Sequence, residues 1–259
     1  MNFPIFQIDA FTSRRFRGNP AAVVVLDQWL PDEVLAAVAA ENNLAETAFV
    51  ILESELVPLR WFTPTIEVDL CGHATLAAAH VILNSYRPGQ ESVHFSTRSG
   101  ELTVVRENQL LCMDFPARPA KSIEISEDLV AALGVRPRAA LRARDILTVF
   151  DSEDEVKALR PDMRRIAALD AFAVIASARG KEVDFVSRFF APGAGVPEDP
   201  VTGSAHCTLI PYWSAELGKQ VMQARQLSAR GGEIRCEMAG DRVKIAGMTK
   251  DYLRGEITV

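Results

Sequence analysis

The chain is short of the residues that most often announce a chemistry. Among 259 residues there are only four cysteines, four histidines, three tryptophans and three tyrosines. The cysteines (Cys71, Cys112, Cys207 and Cys236) lie far apart with no C-x-x-C pair. That argues against disulfides and fits a reducing cytoplasm. The histidines show no metal-ligand spacing, so no metal is expected. There is no G-x-x-x-x-G-K-S/T phosphate loop and no G-x-S-x-G nucleophile elbow. Gly193-Ala194-Gly195 lacks the third glycine and the βαβ setting of a dinucleotide loop. No apolar run reaches bilayer length, and the longest, around 74–83, reads as a buried helix, so no membrane partner is expected. The opening Met1-Asn2-Phe3-Pro4 lacks the charged and apolar regions of a signal peptide. A net charge of −6 with no basic face gives no reason to expect nucleic acid. What is left is chemistry by Glu, Asp, His, Ser and Cys without a bound cofactor.

An apolar fraction of 48% supports a substantial core in one large or two modest domains. The chain is organised around Glu198-Asp199-Pro200-Val201-Thr202-Gly203-Ser204-Ala205-His206-Cys207. A Pro/Gly-rich loop there runs into an apolar helix, with Ser204 or Thr202 able to cap it. Gly203 lets the backbone approach a ligand, and unpaired N–H groups at a helix start attract an anion. The arrangement occurs twice. Phe62-Thr63-Pro64 leads to Asp69-Leu70-Cys71-Gly72-His73-Ala74, as Phe190-Ala191-Pro192 leads to Thr202-Gly203-Ser204-Ala205. An internal duplication explains the echo, and two helix starts could then hold a small acid between them.

The periodicities predict strands over 3–11 and 21–26, a helix from Pro31, a strand from Thr47 and another over 57–62. The segment 73–83 is apolar on most sides, so its helix should be wrapped by sheet. A three-strand meander over 92–115 follows, then a linker over 116–122. The second half reads as helices over 126–133 and 154–159 and strands over 146–150, 172–177 and 183–190. A helix over 204–217, bent or broken at Pro211, precedes strands over 226–229, 234–238, 242–246 and 255–259.

Glu46 stands at the entrance of an apolar strand, where desolvation disfavours a carboxylate's charge and makes it a better base. The plain alternative is an exposed strand-edge acid. His73 sits at a helix N-terminus, where the dipole favours the neutral imidazole, and a capping role is equally open. Asp199 reads as a loop acid or a site residue, and Ser204 as a cap or a ligand contact. His80 reads as a core histidine, while His206 could approach the site.

Taken together, three segments resemble the PhzF family of phenazine-biosynthesis isomerase-like proteins. They are Asn43-Leu44-Ala45-Glu46-Thr47-Ala48-Phe49, Asp69-Leu70-Cys71-Gly72-His73-Ala74-Thr75 and Glu198 to Ala205. Asp9-Ala10-Phe11-Thr12 with Gly18-Asn19-Pro20-Ala21, and Arg230-Gly231-Gly232-Glu233, fit the family's opening and its late turn. The resemblance implies an α+β fold of the diaminopimelate epimerase type. Two similar lobes, each a curved sheet around a central apolar helix, would then be 1–117 completed by 252–259, and 118–251, with the site in the cleft. It implies a cytoplasmic homodimer and cofactor-independent isomerisation by proton transfer on a small carboxylated substrate. In the phenazine enzyme that substrate is a dihydro-hydroxyanthranilic acid. By motif, Glu46 matches the acid/base, His73 and Asp199 its catalytic partners, Ser204 a substrate contact, and Gly72 and Gly203 the backbone donors.

Cys71-Gly72-His73 also resembles the cysteine motif of proline racemases and epimerases, which use two thiols. Thr202 stands at the echo position instead, a pairing that resembles hydroxyproline dehydratases. A Cys71/Thr202 racemase or dehydratase of a cyclic amino acid is therefore one alternative, and a non-catalytic metabolite-binding protein another.

Overall fold

The computed structural model describes residues 1–259, in two compact units. Unit 1 is 1–114 with 246–259, and unit 2 is 115–245. The divisions fall three and six residues before the sequence-based ones.

Unit 1 opens with β1 (Asn2–Ala10) and β2 (Asn19–Leu26), antiparallel neighbours joined by a tight loop. Helix α1 (Asp32–Asn42) starts behind Pro31 with Asp32 and Glu33 in its first turn, where acids complement the dipole. It ends at Asn43 in the left-handed region (φ 48°), and that reversal aims the chain straight into β3 (Glu46–Ile51). β3 runs parallel to β2, with Glu46 opposite Ala21, and antiparallel to β4 (Leu56–Phe62). After the short β5 (Glu67–Val68) comes α2 (Gly72–Val81), every residue of which is buried. The sequence Gly-His-Ala-Thr-Leu-Ala-Ala-Ala-His-Val offers no polar face, so sheet packs around it as its composition demands. A π-helical turn (Ile82–Tyr86) extends it. β6 (Ser92–Thr97), β7 (Gly100–Glu107) and β8 (Leu110–Pro116) form the expected meander.

Unit 2 contains β9 (Lys121–Ile123), α3 (Glu127–Leu133), β10 (Ala139–Arg142) and β11 (Ile146–Val149). α4 (Glu153–Ala158), α5 (Met163–Ala168), β12 (Val174–Arg179) and β13 (Phe185–Phe190) follow. Next come α6 (Gly203–Leu217), β14 (Val221–Gln226), β15 (Gly232–Ala239) and β16 (Arg242–Gly247). The final strand, β17 (Thr249–Thr258), returns to unit 1 and pairs antiparallel with β1. No helix is long and apolar enough to cross a membrane.

The echo in sequence is an echo in topology. In unit 1, β1–β2, β2–β3, β3–β4, β4–β6 and β6–β7 pair as antiparallel, parallel, antiparallel, parallel and antiparallel. In unit 2, β10–β11, β11–β12, β12–β13, β13–β14 and β14–β15 pair in the same succession. The fold is α+β, each unit a sheet with one mostly buried helix.

Several local expectations are corrected. The supposed linker carries β9, which pairs with β10. The strand expected at 226–229 lies at Val221–Gln226, and the closing strand begins at Thr249 rather than at 255. β10 and α5 went unforeseen. α6 is continuous through Pro211, not broken there. A proline lacks the N–H that would bond the carbonyl four residues back, here Cys207. That oxygen accepts instead from the Arg118 backbone N–H at 2.8 Å, so the helix loses no partner.

Candidate active site

Three residues singled out from sequence come together in unit 1. Glu46 heads β3, Cys71 precedes α2 in extended geometry (φ −142°, ψ 110°), and His73 occupies its first turn. His73 Nε2 lies 3.1 Å from Glu46 Oε2, and Cys71 Sγ lies 3.6 Å from His73 Nδ1. The His73 ring is 4% exposed and Glu46 is largely covered. Although close, the Glu46–His73 approach is off the line of a directed hydrogen bond, which leaves Glu46 Oε2 and His73 Nε2 without an aligned partner.

A fourth side chain joins them. Asn19, fully buried at the head of β2, donates its Nδ2–H to His73 Nδ1 at 3.1 Å. The sequence marked Asn19 only as part of a motif and gave it no role.

The electrostatics differ from the expectation that the helix dipole keeps His73 neutral. Burial disfavours the imidazolium, but negative charge at Cys71 and Glu46 outweighs it and holds the ring well above the ordinary histidine range. Burial in turn pushes the Cys71 thiol up to about 11, with the Glu46 carboxylate adding to the shift. Together these two neighbours outweigh the partial charge of a helix end.

The ligand atoms of Glu46, Cys71 and His73 lie within 4.8 Å of one another, close enough to consider a metal. The ring argues otherwise. Its two nitrogens face opposite neighbours, Nδ1 toward Cys71 and Nε2 toward Glu46. One ion bound in the plane of the ring meets one nitrogen and one of those partners, not all three, so the set is a row of polar groups rather than a metal cage.

Unit 2 gathers the remaining candidates. The Thr202 hydroxyl donates to Asp199 Oδ2. Neither Thr202 nor Ser204 caps α6, contrary to expectation: Thr202 precedes the helix in extended geometry (φ −111°, ψ 100°) with no side-chain cap bond. The start of α2 is likewise uncapped, so both helices present first-turn N–H groups without a capping side chain. Ser204 Oγ accepts from Arg144 Nη2 at 3.4 Å. His206 Nδ1 donates to the Thr202 carbonyl at 2.8 Å, which makes it an internal brace of this helix turn.

Two supporting residues escaped the sequence. Gln226, fully buried at the end of β14, accepts from Thr202 N at 2.9 Å and donates to the Asp199 carbonyl at 2.7 Å. Arg188 on β13 grips Glu198 with two hydrogen bonds of 2.7 and 2.9 Å and donates to the carbonyls of Val156 and Leu159. Both fix the loop that carries Asp199.

Comparison with known proteins decides the lineage. Residues 8–255 match the family model of the phenazine biosynthesis-like proteins, PhzC-PhzF. The chain belongs to the PhzC-PhzF family. A Pseudomonas aeruginosa protein named as an uncharacterized isomerase is 52% identical over 248 residues, 95% of each chain. The crystal structure of a PhzF family protein from Enterococcus faecalis superposes with a TM-score of 0.98 at 45% identity over the whole of both chains. A hydroxyproline epimerase from Agrobacterium vitis shares the fold at 9% identity, with a TM-score of 0.61 over 99% of this chain and 92% of that one. That likeness is one of fold alone.

Proposed function

We propose that the chain is a cofactor-independent isomerase that moves a proton on a small carboxylated substrate, with Glu46 as the acid/base. The observation that carries this reading is the largely covered Glu46 carboxylate, 3.1 Å from His73 Nε2 and held by no aligned hydrogen bond. A base must be desolvated, oriented and uncommitted, and this one is all three. The named isomerase among the relatives supports the reaction class.

In this reading Glu46 takes a proton from an activated substrate carbon and returns it to another carbon of the same π-system. His73 donates from Nε2 to the substrate or to Glu46 and offsets the charge that develops there. Each unit offers uncapped helix-start N–H groups to a carboxylate oxygen, at Gly72 in the first and at Gly203, beside Ser204, in the second. Asp199, steadied by Thr202 and Gln226, holds a polar group of the substrate. The test is incubation with a dihydro-hydroxyanthranilic acid in deuterated water. Deuterium in the product that disappears in Glu46→Gln supports the assignment, and full turnover by that variant overturns it. The same reading carries a cytoplasmic homodimer, for which light scattering should return twice the 28.4 kDa chain mass.

The racemase or dehydratase alternative requires a Cys71 thiolate. Burial pushes that thiol up to about 11, so it is a poor base near neutral pH, and its echo residue Thr202 spends its hydroxyl proton on Asp199. Calorimetric binding of the same acid without any product would favour the non-catalytic reading.

A further inference from the structure

The row of polar groups around His73 has a directional constraint that comes from an amide. An Asn Nδ2 can only donate, so the contact between Asn19 Nδ2 and His73 Nδ1 at 3.1 Å requires a lone pair on Nδ1. The Cys71 thiol, 3.6 Å from the same nitrogen, is a second donor to it. A neutral ring that accepts at Nδ1 carries its hydrogen at Nε2, the nitrogen facing Glu46.

The backbone fixes where the Asn19 side chain begins. It heads β2 opposite Ala10 on β1, just after Gly18 at φ +66°. A Cβ at Gly18 would stand 2.1 Å from the Ala10 carbonyl oxygen, so only glycine permits this close a turn. Pro20 follows, and the loop between the strands is tied by the Phe16 N–H donating to Asp9 at 2.8 Å. A buried amide on such a frame is a fixed reference for the ring.

We propose that Asn19 is a positioning residue that sets the tautomer of the neutral His73 ring, keeping Nδ1 as acceptor and the hydrogen at Nε2, on the side nearer Glu46. Its catalytic consequence rests on the proton-transfer reading above, but the tautomer itself does not. The charged and titratable groups facing the ring are Glu46 from β3 and Cys71 from the segment before α2. Protonating Nδ1 sets two donors face to face unless the Asn19 amide turns over to present its oxygen. The amide's hydrogen bond therefore opposes the carboxylate's pull and makes ring protonation a two-part event.

The test is nitrogen NMR on the full chain with 15N-labelled histidine, the four histidines assigned through a His73→Gln variant. Above the titration of the ring, the wild-type signal should be that of a bare Nδ1 and a protonated Nε2. Asn19→Leu, nearly isosteric and without a donor, should let the Nδ1–H tautomer appear. Asn19→Asp places an acceptor-only carboxylate at Nδ1 and should raise the ring's proton affinity about tenfold or more. A wild-type neutral ring protonated at Nδ1 overturns the proposal, and that arm needs no substitution. So does a wild-type spectrum and titration in both variants once circular dichroism shows them folded. Because the readout is the ring rather than turnover, it succeeds or fails independently of whether Glu46 proves to be the catalytic base.

Discussion

Glu46 and His73 stand 27 positions apart in sequence and 3.1 Å apart in space, one at the head of a strand and the other in the first turn of the helix that strand helps to enclose. The second unit repeats the frame without this pair. Phe62 pairs with Thr47 in the first unit as Phe190 pairs with Val174 in the second, so the position before the pair is Glu46 in one and Ala173 in the other. Ser204 likewise follows Gly203 where His73 follows Gly72. The Glu46–His73 pair belongs to one half of a repeated scaffold.

Replacing Glu46 by Gln should abolish proton transfer while leaving the chain folded, since the amide fills the same space. A positioned general base contributes on the order of 100- to 10,000-fold, and a loss of that size in deuterium incorporation is expected. The same change removes one of the two neighbours, with Cys71, that hold the His73 ring high, so the ring's titration should move down. An NMR titration reads this shift without any substrate.

Cys71→Ala should retain most of the activity, because the thiol is neutral near pH 7 and only 6% exposed. With the thiol pushed up to about 11, its thiolate population is roughly a hundredfold or more below that of a free cysteine. Iodoacetamide should therefore label the native protein at this position far more slowly than the urea-unfolded chain. Loss of turnover in Cys71→Ala with Glu46→Gln still active would reverse the roles assigned here.

How far the sequence exposes this site varies by residue, for physical reasons. Glu46, His73 and Asp199 lie in contiguous motifs beside glycines and prolines, so their local geometry is legible. Which side chains touch is a long-range matter, and the Asn19–His73 bond spans 54 positions. Gln226 was hidden by its register. Met222, Ala224 and Gln226 all face inward on β14, and a buried glutamine at an apolar position reads as the strand's exposed face. α5 is only six residues long, although the Asp162 side chain that caps it is a signal the sequence does contain. Pro211 was misread for a different reason. Its missing hydrogen bond is compensated by Arg118, a backbone group 93 positions earlier, which no local pattern can report.

Gln226 lends itself to a direct measurement. Its side chain is the acceptor for Thr202 N, away from solvent, and the donor to the partly buried Asp199 carbonyl. Gln226→Leu leaves a buried N–H and a partly buried carbonyl without these partners. Each such group costs about 1–3 kcal/mol, so a loss of about 3 kcal/mol in urea unfolding is expected. The Asp199 loop should loosen with it, and turnover should fall more than for a surface substitution of equal size. A variant as stable as the parent would show that the loop is held by other groups.

His206 should make the protein sensitive to acid. Burial lowers its pKa from 6.5 to about 4, although Nδ1 already donates to the Thr202 carbonyl at 2.8 Å. The ring packs 6.0 Å from Phe185, which stacks in turn on Trp213, and Nε2 has no partner that could share a second proton. The folded state thus binds the neutral ring, whereas the unfolded chain takes up a proton below about pH 6.5. Stability from this group is fully present above that value and is lost as the pH falls toward about 4, below which both states are protonated. The difference corresponds to about 3 kcal/mol. Urea titrations at pH 7 and pH 4 should show this contribution in the wild type. His206→Asn, which can still reach a carbonyl but does not titrate, should shrink the pH-dependent loss by about that amount. An unchanged pH dependence in the variant would assign the acid sensitivity to the paired carboxylates instead.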